Sequence, residues 1–398
     1  MSGPMVVDLG DQGFWQDPYP VWSRARQVGR TAVTSKGEPI LLNAADVDLV
    51  YSDDAFGQPG LMPLERLGIN DGPFYEWRGR TMAAHDGPVH RRLRESLGRS
   101  FTPRRVEPLR AALRTYAEGL LDLAIAKGSF DLVSDYADEL PMWLTCEFLG
   151  LPQGSRNDIA EFLAGTEEGF TDPMTDEGRQ RAELGIVALY GYVEELVETR
   201  VERPAEDLVS DLLEAETSGV ISREELVALV VNIIGGSVGS SRAGIANSLL
   251  LFIQHPDQSD WLRASPDRIR PAVEECLRYR PPFRHGRRKA VRSVDMFDLQ
   301  FQEGETVFIA RQAANRDPAR WDAPDVFDVS RSEKRHFAFG YGSHFCLGHA
   351  LARLDIQEAV HVFLERCPGL VLGVDEPHRV PFTADEQIES LPVVLAAA

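Results

Sequence analysis

Cys346 stands in the run Phe339-Gly340-Tyr341-Gly342-Ser343-His344-Phe345-Cys346-Leu347-Gly348. An amphipathic pattern follows from His349 to Glu365, so the sulfur lies just before a helix N-terminus. Free backbone N–H groups and the positive end of the helix dipole favour thiolate over thiol there. Gly342 and Gly348 permit a tight turn and close approach by something large. Phe339 can cover one edge of the sulfur, and His344 can donate a hydrogen bond to an anion. The remaining cysteines, Cys146, Cys276 and Cys367, form no CxxC pair, and four cysteines in 398 residues make no disulfide framework. A thiolate without Cys or His partners at ligand spacing is a poor zinc site. It suits a metal whose other ligands come from a macrocycle. The competing reading is a small buried hydrophobe.

A second unusual stretch lies in a long helical pattern. Ser222 with Glu225 three residues on is a capping box, and Pro256 ends the pattern. Such a helix crosses roughly 50 Å, the width of a whole domain. Its middle reads Gly235-Gly236-Ser237-Val238-Gly239-Ser240-Ser241-Arg242-Ala243-Gly244. Each interior glycine costs about 1 kcal/mol relative to alanine. Close helix–helix packing is one reason to accept that cost. A flat cofactor or ligand lying against the backbone is the other.

The cysteine segment resembles the ligand loop of the cytochrome P450 family, the haem-thiolate monooxygenases, through Phe339, Gly342, His344, Cys346 and Gly348. The resemblance implies haem b (iron protoporphyrin IX) with Cys346 as axial ligand, and thiolate ligation favours O–O cleavage. Glu275-Cys276-Leu277-Arg278, ahead of Tyr279-Arg280-Pro281-Pro282, is similar to the family's structural ion pair. His90 and Arg94 resemble a propionate-holding pair, Arg288 a third propionate ligand with neighbouring Arg287 competing, and His344 a fourth. Ala314 to Pro318 and Pro324 to Asp328 also match the approach to the loop.

Two positions depart from the family. Val326 stands where many members carry an arginine of the Glu/Arg network, leaving Arg331 or His336 to substitute. Aligned on Gly235-Gly236, the central helix has Val238 at the acid and Gly239 at the alcohol position of the usual proton relay. Three consequences stay open. Ser237, Ser240 or Ser241 with water replaces the alcohol; the substrate's own polar groups organise the water; or peroxide is the oxidant, with Arg242 gripping a substrate carboxylate. Arg242 otherwise pairs with a buried acid or reaches solvent. Relatives lacking the pair point to tailoring of an aromatic natural product, such as an indole or cyclic dipeptide, by hydroxylation or oxidative coupling. A haem-binding sensor or inactive scaffold is the non-enzyme reading. The resemblance places substrate contacts at Met62, Leu67, Phe74, Tyr75 and Trp77, at Ile234, Val238 and Arg242, and at Phe283 and His285. Phe74, Tyr75 and Trp77 fit a core equally well.

The elements that must position these groups are mostly helices. Apolar spacing predicts them near 44–52, 88–100, 105–127, 138–149, 155–168, 176–201, 206–215, 222–254, 257–263, 267–279 and 348–366. Thr31–Thr34 and Pro39–Leu42 read as a hairpin, Thr306–Ala310 as a strand, and 371–372 with 391–395 as a small ribbon. The expected fold is mainly α, a cytochrome P450 fold spanning 1–398 as a single domain with a small β-rich region. The chain carries 42 Lys+Arg against 62 Asp+Glu, a net charge of −20, which argues against nucleic acid as a partner. No uninterrupted apolar run reaches membrane-span length, and Met1–Pro20 lacks a signal-peptide pattern, so a cytoplasmic monomer is expected. Locally, Arg91, Arg92, Arg94, Arg99, Arg104, Arg105 and Arg110 outnumber Glu95 and Glu107. By resemblance this face meets an acidic ferredoxin, itself served by a ferredoxin reductase; a solvated charged face is the plainer reading.

Overall fold

The capping box forms as read. Ser222 Oγ accepts the Glu225 N–H at 3.1 Å, and Glu225 Oε2 accepts the Ser222 N–H at 2.9 Å. From this start the central helix runs Arg223–Gln254, and a new helix opens on Pro256. The computed structural model describes residues 3–170, 174–332, 335–381 and 385–395. The central helix is the axis of the main core. Leu226, Val230, Ile234, Ile245 and Leu249 are fully buried among side chains of the surrounding helices. Glu139–Leu149, Asp176–Glu202, Ile269–Tyr279 and His349–Arg366 pack against it. By length and composition this helix passes for a membrane span, with a mean hydropathy of 1.4 over 18 residues. Its charged and polar residues interrupt the apolar run, and its position is that of a core helix.

The helices predicted from spacing are present, with ends shifted by a few residues. Among the described residues five α-helices were not legible: Gln12–Gln16, Arg311–Ala314, Tyr19–Val28, Met62–Arg66 and Pro73–Arg80. The last three begin on a proline in the first turn, where the missing N–H costs nothing, so loop-like composition hides a helix start.

The β-rich region holds a six-stranded sheet in the order Val6–Val7, Thr31–Thr34, Pro39–Leu41, Thr306–Ile309, Gly286–Ala290, Phe56–Gly57. The predicted hairpin pairs Ala32 with Ile40, and Ile40 runs parallel to Phe308. Gly286–Ala290 pairs antiparallel with Thr306–Ile309, setting Arg287 opposite Phe308 and Arg288 opposite Val307. Adjacent residues on a strand face opposite ways, so this register separates the two arginines. A second sheet joins Leu370–Leu372, Pro392–Leu395 and Ser129–Asp131. The tight Val294–Met296/Leu299–Phe301 hairpin turns through Phe297 and Asp298, both at positive φ, a turn that Phe-Asp does not advertise.

Candidate functional site

The cysteine loop is held by backbone geometry. Gly342 adopts φ 75°, and a Cβ there would overlap the Tyr51 carbonyl oxygen, so only glycine lets the loop lie against the helix Ala44–Ser52. The Cys346 N–H donates to Phe339 O at 3.0 Å, and the helix His349–Arg366 starts three residues on. The Arg353 guanidinium lies 4.3 Å from the Phe339 ring centroid. Burial pushes the Cys346 thiol up, while the Gly348 N–H, Arg94, Arg311 and Arg353 pull it back only part of the way. Desolvation therefore opposes the thiolate that the helix terminus favours, and a cation on sulfur would offset that cost.

Beside this loop opens a cavity of about 1530 Å³, lined by His90, Arg94, Arg288, Phe339, Gly342 and His344 among others. His90 and Arg94 share one face of the helix Gly87–Leu97. Arg288 is buried, lies 4.6 Å over the Tyr51 ring and donates one N–H to Arg287 O. Arg287 faces away and bonds Glu38 at 3.2 Å, so the strand register answers which arginine enters the cavity. Among the described residues nothing hydrogen-bonds His90 Nε2, although the ring is buried. Burial, with His344 and Arg94 adding to it, lowers His90 to about 4 and keeps it neutral. His344 lies tilted against His90 with ring centroids 3.9 Å apart and holds Asp86 at 2.7 Å. Burial would raise Asp86, but the bonds from His344 and the Gln58 N–H outweigh it and hold its carboxyl low. His344 is therefore already engaged by a carboxylate that the sequence did not single out.

These residues fit haem. An orphaned buried imidazole nitrogen and two cations converge where two propionates would need donors, and a cysteine loop flanks the same cavity. His90, Arg94 and Arg288 would hold the carboxylates, His344 would join them only by turning from Asp86, and Cys346 would hold the metal. The glycines of the central helix divide by role. Gly235 and Gly236 are exposed in mid-helix, and a Cβ on Gly236 would meet nothing within 4 Å. A Cβ on Gly244 would come within 2.7 Å of Ile356, a packing constraint from the helix that follows Cys346. The packing reading of the glycine cluster applies to Gly244, while Gly235 and Gly236 leave bare helix backbone open.

Glu275 and Arg278 form a closed structural unit. Arg278 is 1% exposed and its five donors are all used: Glu275 at 2.6 and 2.7 Å, and the carbonyls of Asn315, Pro324 and Val326. Arg331 substitutes for the arginine missing at Val326 by donating to Glu275 Oε1 at 3.2 Å. His336 instead joins Arg353 on Glu274, at 3.0 and 2.6 Å.

The relay candidates on the central helix are mostly committed elsewhere. Ser237 Oγ shares a hydrogen bond with buried Thr145 Oγ1 at 2.8 Å and donates to Ile234 O. Ser240 bonds back to Gly236 O at 3.0 Å, and Val238 packs against the core. Arg242 pairs with Asp138 and bonds Gln387, its ordinary reading. In the space beside Gly239 stands a carboxylate that sequence reasoning missed, Glu167. It sits in the run Thr166-Glu167-Glu168, which looks like a solvated helix end.

The proposed substrate contacts need correction. Phe74 is 1% exposed, seated beneath Gly169 and against Trp77, and Ile234 is 0% exposed; both are core, because helix crossings close over them. Trp77 is buried with its indole N–H unpartnered among the described residues. His285 stacks on Phe308 in the β-rich region at 4.5 Å. Phe283 is 37% exposed with Arg311 over its ring, and Met62 is half-buried at a helix start.

Comparison with known proteins agrees with this geometry. The sequence model of the Cytochrome P450 family matches residues 170–383. The chain is 33% identical to "Cytochrome P450 monooxygenase PikC" of Streptomyces venezuelae, covering 94% of this chain and 90% of that protein. It is 36% identical to "6-deoxyerythronolide B hydroxylase" of Saccharopolyspora erythraea, covering 93% of each. Among solved structures, CalO2 superposes with a TM-score of 0.93 at 30% identity, covering 98% of this chain and 99% of that one. Haem held through a thiolate supplies dioxygen activation when bound. A family match over more than half of the chain, relatives above 30% identity across nine-tenths of it, and a cationic cavity beside the cysteine loop lead to one conclusion: the chain belongs to the cytochrome P450 family of haem-thiolate oxidoreductases.

Proposed function

We propose that this enzyme is a monooxygenase tailoring a natural product, with Cys346 as the axial ligand of haem b and electrons from a ferredoxin. The convergence of His90, Arg94 and Arg288 on the cavity beside the Cys346 loop carries this reading. Relatives named as a 6-deoxyerythronolide B hydroxylase, a mycinamicin IV hydroxylase/epoxidase and a polyketide biosynthesis cytochrome P450 support the tailoring role. Cys346→Ala should abolish the reduced-CO Soret band of thiolate ligation; its persistence would refute the ligand assignment.

The substrate we assign is a flat, partly polar aromatic scaffold such as an indole or cyclic dipeptide, and coupling or hydroxylation are both open to it. Exposed Phe283 beside Arg311 offers it an aromatic wall with a polar edge. Binding of polyketide lactones, with no indole or phenol shifting the spin state, would overturn that assignment.

For the ferredoxin, Arg91, Arg99 and Arg104 remain exposed, whereas Arg92, Arg105 and Arg110 are neutralised by Glu225, Asp211 and Glu358. The docking patch is therefore smaller than the arginine count implied. The enzyme acts in the cytoplasm as a monomer in this reading. A peroxide-driven reaction would require Arg242 to leave Asp138 for a substrate carboxylate, which disfavours it. The relatives' named activities leave no support for a sensor or scaffold role.

A further inference from the structure

Glu167 and Gly239 share one space. Glu167 closes the helix Arg156–Glu168, and its Oε1 lies 3.0 Å from where a Gly239 Cβ would stand. Asp385 Oδ2 lies 3.9 Å from the same point. Any side chain at position 239 would contest the carboxylate's place. One turn earlier, Gly235 and Gly236 expose bare helix backbone, so the carboxyl overlooks the stretch of central helix stripped of side chains.

The surroundings of Glu167 are consistent with a group that holds a proton. Among the described residues no donor bonds its carboxyl, unlike neighbouring Glu168, which binds Arg181. Asp385 already accepts from Gln387 Nε2 at 2.7 Å, and Arg242 is taken by Asp138 and Gln387. The charged groups facing Glu167 are thus Asp385, Arg242 and Asp138, two anions against one cation. The side chain keeps an exposed face although protein packs closely around its carboxyl. Burial, reinforced by Asp385 and Asp138 and opposed by Arg242, pushes its carboxyl up to about 7. Acid and base forms are then both populated at neutral pH, the condition under which a carboxyl passes protons in both directions.

We propose that Glu167 is the proton carrier of this active site, supplying from a neighbouring helix the protons that Val238 and Gly239 cannot. The inference rests on the monooxygenase reading above. Monooxygenation turns R–H, O₂, two electrons and two protons into R–OH and water. The electrons come from the ferredoxin-class donor. The Glu167 carboxyl gives its proton to water beside Gly239, for the oxygen atom that leaves as water, and the carboxylate takes a proton back from solvent through its exposed face. The carrier is unchanged after each transfer.

The test uses haem-loaded enzyme, a substrate that shifts its spin state, and Glu167→Gln, which keeps the shape and loses the exchangeable acid. Product formed per electron pair should fall about ten-fold or more, with peroxide taking the difference. Substrate affinity read from the spin-state shift should stay within about two-fold, because the step is proton transfer and not binding. Independently of turnover, infrared spectroscopy should show a protonated carboxylic acid titrating near neutral pH in the parent and absent in Glu167→Gln. Glu168→Gln should match the parent in both readouts. Glu167→Ala combined with Gly239→Thr should recover coupling relative to Glu167→Ala, since the alcohol enters the vacated space. Coupling within about two-fold of the parent in Glu167→Gln, or survival of the infrared titration there, overturns the proposal. The reduced-CO band keeps the two readings apart. With the band present in parent and variant, the coupling ratio tests Glu167 alone; its absence in the parent sinks the haem-thiolate reading itself.

Discussion

Arg331 Nε donates to Glu275 Oε1 at 3.2 Å, five residues beyond the position where the family usually supplies an arginine. Val326, which occupies that position, contributes its carbonyl instead and accepts from Arg278 at 3.2 Å and Arg331 at 3.1 Å. The network keeps its charge balance by rerouting one guanidinium. Arg331→Ala should therefore cost about 1–3 kcal/mol in urea unfolding of the haem-loaded protein. Arg278→Ala should cost more, about 3–5 kcal/mol, because it strands Glu275 in the core. Equal, negligible losses would show that the network carries no stability.

The two kinds of glycine in the central helix predict opposite outcomes. Gly244→Ala drives a methyl to within 2.7 Å of Ile356 and should destabilise by about 1–3 kcal/mol, relieved by Ile356→Val. Gly236→Ala meets no atom within 4 Å and should stabilise haem-free protein by about 1 kcal/mol through helix propensity. A cofactor lying against this bare stretch of helix predicts that the same methyl weakens haem retention. Thermal melts with and without haem distinguish these effects.

Buried Glu386 sets an acid limit on stability. Burial alone would raise its carboxyl, but Arg280, Arg379 and Arg284 outweigh burial and hold it at about 2, below the ordinary 4.5. Between those values the unfolded chain binds more protons than the folded one, so stability rises with pH there. The contribution is full above pH 4.5 and is lost as pH falls toward 2. Urea midpoints across this window should fall with acid in the parent and more shallowly in Glu386→Gln. At neutral pH that variant should lose about 3–5 kcal/mol, since Arg280 and Arg379 lose their shared carboxylate.

Haem retention should separate the neighbouring arginines. Arg288→Leu, Arg94→Leu and His90→Leu should each speed transfer of haem to apomyoglobin about ten-fold or more, the worth of one charge-assisted bond. Arg287→Leu should leave the rate unchanged, because that side chain spends its donors on Glu38. A larger effect at Arg287 than at Arg288 would reverse the assignment.

The sequence by itself determined the parts of this protein that are contiguous. The Cys346 loop, the capping box at Ser222 and the Glu275/Arg278 pair each lie within one helix or turn, where spacing alone fixes geometry. The long helices were legible for the same reason, since their apolar period is local. Tertiary structure decided whatever depends on two segments meeting. Strand register turned Arg288 inward and Arg287 out, and helix crossing sealed Phe74 and Ile234 into the core. Burial works against the thiolate that the helix terminus favours at Cys346, because desolvation depends on everything packed around a group and not on its own helix. Glu167 is the clearest case. Seventy-two positions from Gly239 in the chain, it reads as a solvated helix end, and only the folded arrangement brings its carboxyl into the space a glycine leaves open.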